Sequence, residues 1–256
     1  MNHFFVELKK RNNLLFWNGL LQIVISVFCM GFAIIEHSSI LGANAFFKPL
    51  KYCFTTGLIT WGFAWILNKL YSKKSIKILS VIHFFTTSVI TSIILLQSFR
   101  GEPSHFNTST PFDSMLNSIL WLMYIVYTIM IGATTFMFFN QKKMPTSQHF
   151  AWGIRLSLLT YFIFLFVGFN MMINKSHLIS GVDSEKGLNF LNWNSKHGDL
   201  RIIHFIGIFS FPVISMASYY VFKKKIQIIW FALTYIILGL ILYLLTMLDI
   251  PLIPNF

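Results

Sequence analysis

The sequence predicts an all-α integral membrane protein: one domain, residues 1–256, with seven transmembrane helices, a cytoplasmic amino terminus and an external carboxyl terminus. Three observations carry this. Hydrophobic residues make up 55% of the chain and charged residues only 11%, and the mean hydropathy is +0.67. That leaves too little polar surface for a water-soluble globule. Apolar runs recur at 13–36, 50–71, 75–99, 114–139, 149–173, 201–222 and 226–247, each long enough at ~20 residues to cross a hydrocarbon core.

The third observation is where the charge lies. The formal net charge of +12 falls on one side of the predicted bundle, at Lys/Arg 9–11, 69, 73, 74, 77, 142, 143, 155 and 223–225, opposed only by Glu7. On the other side Lys48, Lys51, Arg100, Lys175, Lys186, Lys196 and Arg201 are matched by seven acids. The excess is therefore a positive-inside signature, and it sets the orientation. The basic runs point to membrane lipids as partners and not to nucleic acid.

The first run follows Lys9-Lys10-Arg11 as a signal peptide would. At about 24 residues it is too long for one and lacks a small-x-small cleavage site, so it reads as an uncleaved span. Asn18 and Gln22 within it are expected to face the bundle, because an amide facing lipid is costly. Cys29 and Cys53 show no metal spacing and read as buried thiols. The second span starts around Phe46-Phe47-Lys48-Pro49-Leu50-Lys51, with Pro49 in a first turn, where proline is tolerated. Lys48 and Lys51 there oppose the helix dipole and invite an anionic partner.

In the third span Ser80, His83, Thr87, Thr91 and Ser98 follow helical spacing along one face, as helix interfaces in membranes use small hydroxyl residues. His83 reads first as a neutral ring bonded to an amide or hydroxyl, and second as a relay or ligand contact. Counting from the inner ends puts it level with Gln22. Thr110-Pro-Phe-Asp113 is a capping box that opens the fourth span. Thr146 or Ser147 caps the fifth and Asp199 the sixth, which sets Arg201 and His204 one helical step apart. The segment from Asn174 to Gly198 is the longest loop, a length often used for lids or binding.

Three spans begin at the predicted outer surface, so partly positive helix ends gather there with basic side chains, a natural anion site. The leading expectation is an outward pocket that binds or senses an anionic or amphiphilic small molecule or a lipid headgroup. Lys48, Lys51, Arg100, His105, Arg201 and His204 would line it. The competing structural reading is that Glu36, Asp113 and Asp199 simply neutralise these cations. A second functional reading is an enzyme at the outer face, with His105, Asp199 and His204 as catalytic candidates and His105, His197, Asp199 and His204 as candidate ligands of a hydrolase's metal. No HxxxH or HExxH places two such ligands on one helix face.

Familiar alternatives fail on residues. The last span has no lysine for a retinal Schiff base and no metal histidines of the ceramidase-like type. His83 and His204 differ in depth, which argues against a bis-histidine haem, and no acid stands mid-membrane as ion coupling would demand.

Arg100-Gly-x-x-Ser-His-Phe-Asn107 and Trp193-Asn-x-x-His-Gly-Asp-Leu-Arg-x-x-His-Phe-x-Gly207, with Phe47-Lys-Pro-Leu-Lys51 upstream, resemble a family of uncharacterised bacterial multi-pass membrane proteins. The resemblance implies a bacterial cytoplasmic membrane and a site built by these loops, and brings no activity or cofactor with it. The family pattern adds a histidine and a glutamine on the sixth span, near where this chain has Phe209 and Pro212. That departure puts a metal or redox role in doubt.

Overall fold

The computed structural model describes residues 2–183 and 187–253; Lys186 and one of the seven acids of the charge pattern, Glu185, lie outside the described residues. The helices are α1 (Asn2–Arg11), α2 (Asn13–Ile35), α3 (Phe47–Ile66), α4 (Lys73–Arg100), α5 (Pro111–Asn140), α6 (Gln148–Asn174), α7 (Leu200–Met216) and α8 (Lys225–Met247). Six of them, α2 and α4 to α8, are long and apolar enough to cross a membrane when α7 is taken through Val221, as a multi-pass membrane protein requires. The helix α3 is not among them. Lys48, Pro49 and Lys51 in its first turn and Thr55, Thr56 and Thr60 further on dilute its apolar character.

The chain forms two compact units, Met1–Met130 and Ile131–Phe256, with the boundary inside α5. In the first unit the sequence reading missed α1, having taken Lys9-Lys10-Arg11 as a flank of the first span. Asn12 breaks the helix by turning extended, and its side chain accepts from Leu15 N at 3.1 Å to cap α2. Leu8 of α1 is fully buried. Phe4 stacks on Trp65 at 5.4 Å. The Arg11 guanidinium lies 3.8 Å from the same indole and is bonded to Glu7 at 2.9 Å.

Three cross-helix bonds join α2 to α4: Asn12 Nδ2 to Ser80 Oγ at 2.6 Å, Asn18 Nδ2 to Thr87 Oγ1 at 3.0 Å, and Thr91 Oγ1 to Gln22 Oε1 at 3.0 Å. The partners stand 68 or 69 residues apart each time, which is the signature of two parallel helices held in one register. Polar side chains shielded from bulk water must find such partners. The five-residue stripe of α4 is buried as expected. The depth estimate for His83 is corrected: Gln22 is level with Thr91, not with His83, because α4 extends about two turns beyond the start of α2.

Glycine sets the approach of α2 to α3. A Cβ on Gly19 would stand 2.4 Å from the Trp61 ring, and one on Gly57 would stand 2.8 Å from Ile23. Their connection is a two-residue ladder, Ser39–Ile40 against Ala43–Asn44, turning through Leu41 and Gly42 at positive φ. Asn44 then closes both helices. Its amide donates to the carbonyls of Ala33 and Glu36, while its Oδ1 accepts from Phe46 N.

The second unit is built around Phe164 of α6. Cβ atoms on Gly207 of α7 and Gly239 of α8 would stand 2.1 and 2.3 Å from its side chain, so both helices close on the ring only because they lack those carbons. Gly153 likewise admits Ser218, in the π-helical turn Ala217–Val221 that follows Pro212. Arg155 ends α5 by donating to the carbonyls of Phe138 and Gln141 at 2.9 and 2.7 Å.

Candidate functional site at the predicted outer ends

Lys48, Lys51, Arg100 and His105 belong to the first unit, and His197, Asp199, Arg201 and His204 to the second. In the first unit, Thr110 caps α5 as expected, accepting from Asp113 N at 3.1 Å and donating to Asp113 Oδ2 at 2.6 Å. The same carboxylate takes the Arg100 guanidinium at 2.6 Å and the Gln97 amide at 2.8 Å. Asp113 is 1% exposed. For Arg100 the neutralising reading therefore holds, since its charge is spent on tying the end of α4 to the start of α5. Gly101, in the left-handed conformation, ends α4 and lets the chain turn toward this contact.

His105 has both ring nitrogens engaged, Nδ1 with Ser104 Oγ and Nε2 with Tyr124 Oη, each at 2.9 Å. Asn107 bonds Glu102 and Ser109. The Ser104–Asn107 cluster thus folds its own loop. Lys48 and Lys51 are half-buried in the first turn of α3, and neither is without a partner.

In the second unit Asp199 caps α7, accepting from Arg201 N at 2.9 Å and from Asn194 N at 2.8 Å. It also holds the Arg201 guanidinium through Nε and Nη2. The carboxylate has no exposure and the arginine side chain 18%. Three residues on, the His204 ring lies against Gly168, where a Cβ would be 3.0 Å from its Cε1. Its Nδ1 is buried with no hydrogen-bond partner among the described residues. Here the predicted site keeps an unspent polar group.

The long loop is tied at both ends. Asp183 accepts from the His177 backbone N–H and from Ser176 Oγ at 3.1 Å, and its Oδ2 lies 2.9 Å from His177 Nδ1. Burial pushes its carboxyl up, but the His177 and Ser176 bonds outweigh it and hold the group down at about 2. Near Gly198, Asp249 accepts from Ser180 Oγ and from Gly198 N, and lies 3.2 Å from His197 Nδ1. The Ser180 bond is the largest cause holding Asp249 below the usual carboxylate range.

Ser180, His197 and Asp249 have the residue types of a nucleophilic triad without its geometry. Ser180 Oγ and Asp249 Oδ2 both sit on His197 Nδ1, at 2.8 and 3.2 Å, whereas proton abstraction needs one ring nitrogen for the serine and the other for the acid. Among the described residues no three His, Cys, Asp or Glu side chains gather as a metal-binding group. The two cysteines are free and buried.

The sequence reading missed His177, Ser180, Asp183 and Gly168, and the partnership of His197 with Asp249. The last pair is 52 residues apart, and no local spacing signals it. Comparisons with protein-family models, with curated proteins and with solved structures found no match.

Proposed function

We propose that this is a seven-span protein of the bacterial cytoplasmic membrane, amino terminus inside and carboxyl terminus outside, whose outer rim binds or senses an anionic or amphiphilic small molecule or a lipid headgroup. The seventh span is α3. Its 20 residues rise ~1.5 Å each, enough for the ~30 Å core, and its polar Thr60 is buried toward neighbouring helices, not lipid. The orientation rests on the one-sided charge.

Of the expected contacts, Arg100, His105 and Arg201 already carry structural bonds and Lys48 and Lys51 have partners, so in this reading the ligand meets His204 in the second unit. The observation that supports this reading best is His204. A buried ring nitrogen without a protein partner sits one helical step from Arg201 near the amino end of α7, where the helix end favours an anion and the ring nitrogen pairs with a hydroxyl of the same ligand, such as that of a singly protonated phosphate. The catalytic reading has less support, because His105 and Asp199 already spend their polar atoms on structural bonds.

The test is thermal unfolding in zwitterionic nanodiscs titrated with dodecyl phosphate, against a neutral dodecyl glycoside. A ligand at a hundredfold excess over its Kd stabilises by about 2.7 kcal/mol. His204→Phe, which covers Gly168 but removes the nitrogen, is expected to lose most of that gain. Stabilisation equal in wild type and His204→Phe refutes the role of His204, and no selective stabilisation by the phosphate refutes the binding reading.

A further inference from the structure

A second place with unspent polar atoms lies inside the first unit, far along the chain from the loops discussed above. His83 is fully buried and Asn18 is 1% exposed. The Nε2 of His83 is 2.8 Å from Thr60 Oγ1, while its Nδ1 has no hydrogen-bond partner among the described residues. Asn18 gives its Nδ2 to Thr87, and its Oδ1 likewise has no partner.

Thr87 links the two residues, accepting from Asn18 at 3.0 Å and donating to the His83 carbonyl at 2.8 Å. His83 and Thr87 are one turn apart on α4, about 6 Å of rise. The surroundings are otherwise aromatic, with Phe63 and Tyr127 flanking the imidazole at 5.1 and 5.6 Å between ring centres.

We propose that Asn18 Oδ1 and His83 Nδ1 together hold an ordered water in the interior of the first unit, at the level of Thr87. The chemistry selects a guest that both donates and accepts. Asn18 Oδ1 only accepts, so the guest must donate to it. The guest also completes His83 in either neutral tautomer: it accepts from Nδ1–H when Thr60 donates to Nε2, and donates to Nδ1 when Nε2–H donates to Thr60. Water satisfies every case, and buried waters are retained where otherwise unpaired polar groups can share them. The consequence is that a fully buried histidine exchanges its ring proton with solvent through this one molecule.

The experiment is water-to-imidazole polarisation transfer by solid-state NMR on ¹⁵N-histidine protein in lipid bilayers. His197, whose side chain is 28% exposed, is the internal positive control. Transfer to His83 comparable with that to His197 is expected, and Asn18→Leu is expected to weaken it several-fold. Transfer to His197 with none to His83 in the wild-type protein overturns the proposal without reliance on any variant folding. Transfer to His83 that Asn18→Leu leaves unchanged overturns the shared site.

Discussion

Removing the Asp199 carboxylate is expected to destabilise the second unit by about 3 kcal/mol, and the figure can be built from the contacts. Asp199→Ala deletes the cap of α7, worth ~1 kcal/mol in typical cases. It also strands the Arg201 guanidinium, which meets Asp199 through Nε at 2.9 Å and Nη2 at 2.5 Å. Breaking a buried ion pair by removing one partner costs about 3–5 kcal/mol. Arg201 keeps 18% exposure and recovers part of this by turning to water, which brings the total down to about 3 kcal/mol. Asp199→Asn, which keeps one acceptor oxygen, is expected to cost less. Arg201→Ala is expected to cost at least as much as Asp199→Ala, because it leaves a carboxylate with no exposure and no countercharge. The assay is reversible unfolding in mixed micelles followed by tryptophan fluorescence, with the three variants measured side by side. A cost below about 0.5 kcal/mol for Asp199→Ala refutes the reasoning. The same arithmetic disqualifies Arg201→Ala as a clean test of ligand binding, since loss of fold and loss of ligand would be confounded.

Gly239→Ala is expected to destabilise the second unit by about 1–3 kcal/mol through overpacking against Phe164. Phe164→Leu, introduced with it, should recover part of that cost, and an additive double variant refutes the wedge. The long loop is expected to depend on acid. Asp183 titrates at about 2 in the folded protein against an ordinary 3.8, so its contribution is fully present above about pH 4 and is lost as pH falls toward 2. Hydrogen exchange at the His177 amide, bonded to that carboxylate, reads this directly; protection unchanged from pH 5 to pH 2 counts against it.

Element boundaries were largely legible because they are local chemistry. Thr110 and Asp199 are caps whose partners lie two or three residues away. The buried faces of α2 and α4 follow from the cost of an amide or hydroxyl in hydrocarbon. Register was not legible: counting from inner ends ignored that α4 starts deeper than α2, and the error placed Gln22 beside His83. The short amphipathic helix α1 escaped because its charges served equally well as a topology signal.

For the candidate site, composition and spacing singled out polar residues at the predicted outer ends. They could not say which of these were already satisfied. Arg100 and Arg201 find carboxylates and His105 finds Ser104 and Tyr124, whereas His204, on a glycine of another helix, keeps a nitrogen unspent. The amino-acid sequence alone determined that this chain is helical, apolar and basic, because those properties are sums over residues. Which polar atoms remain available was decided only by the tertiary structure, because a hydrogen bond or ion pair depends on a partner that sequence distance does not locate.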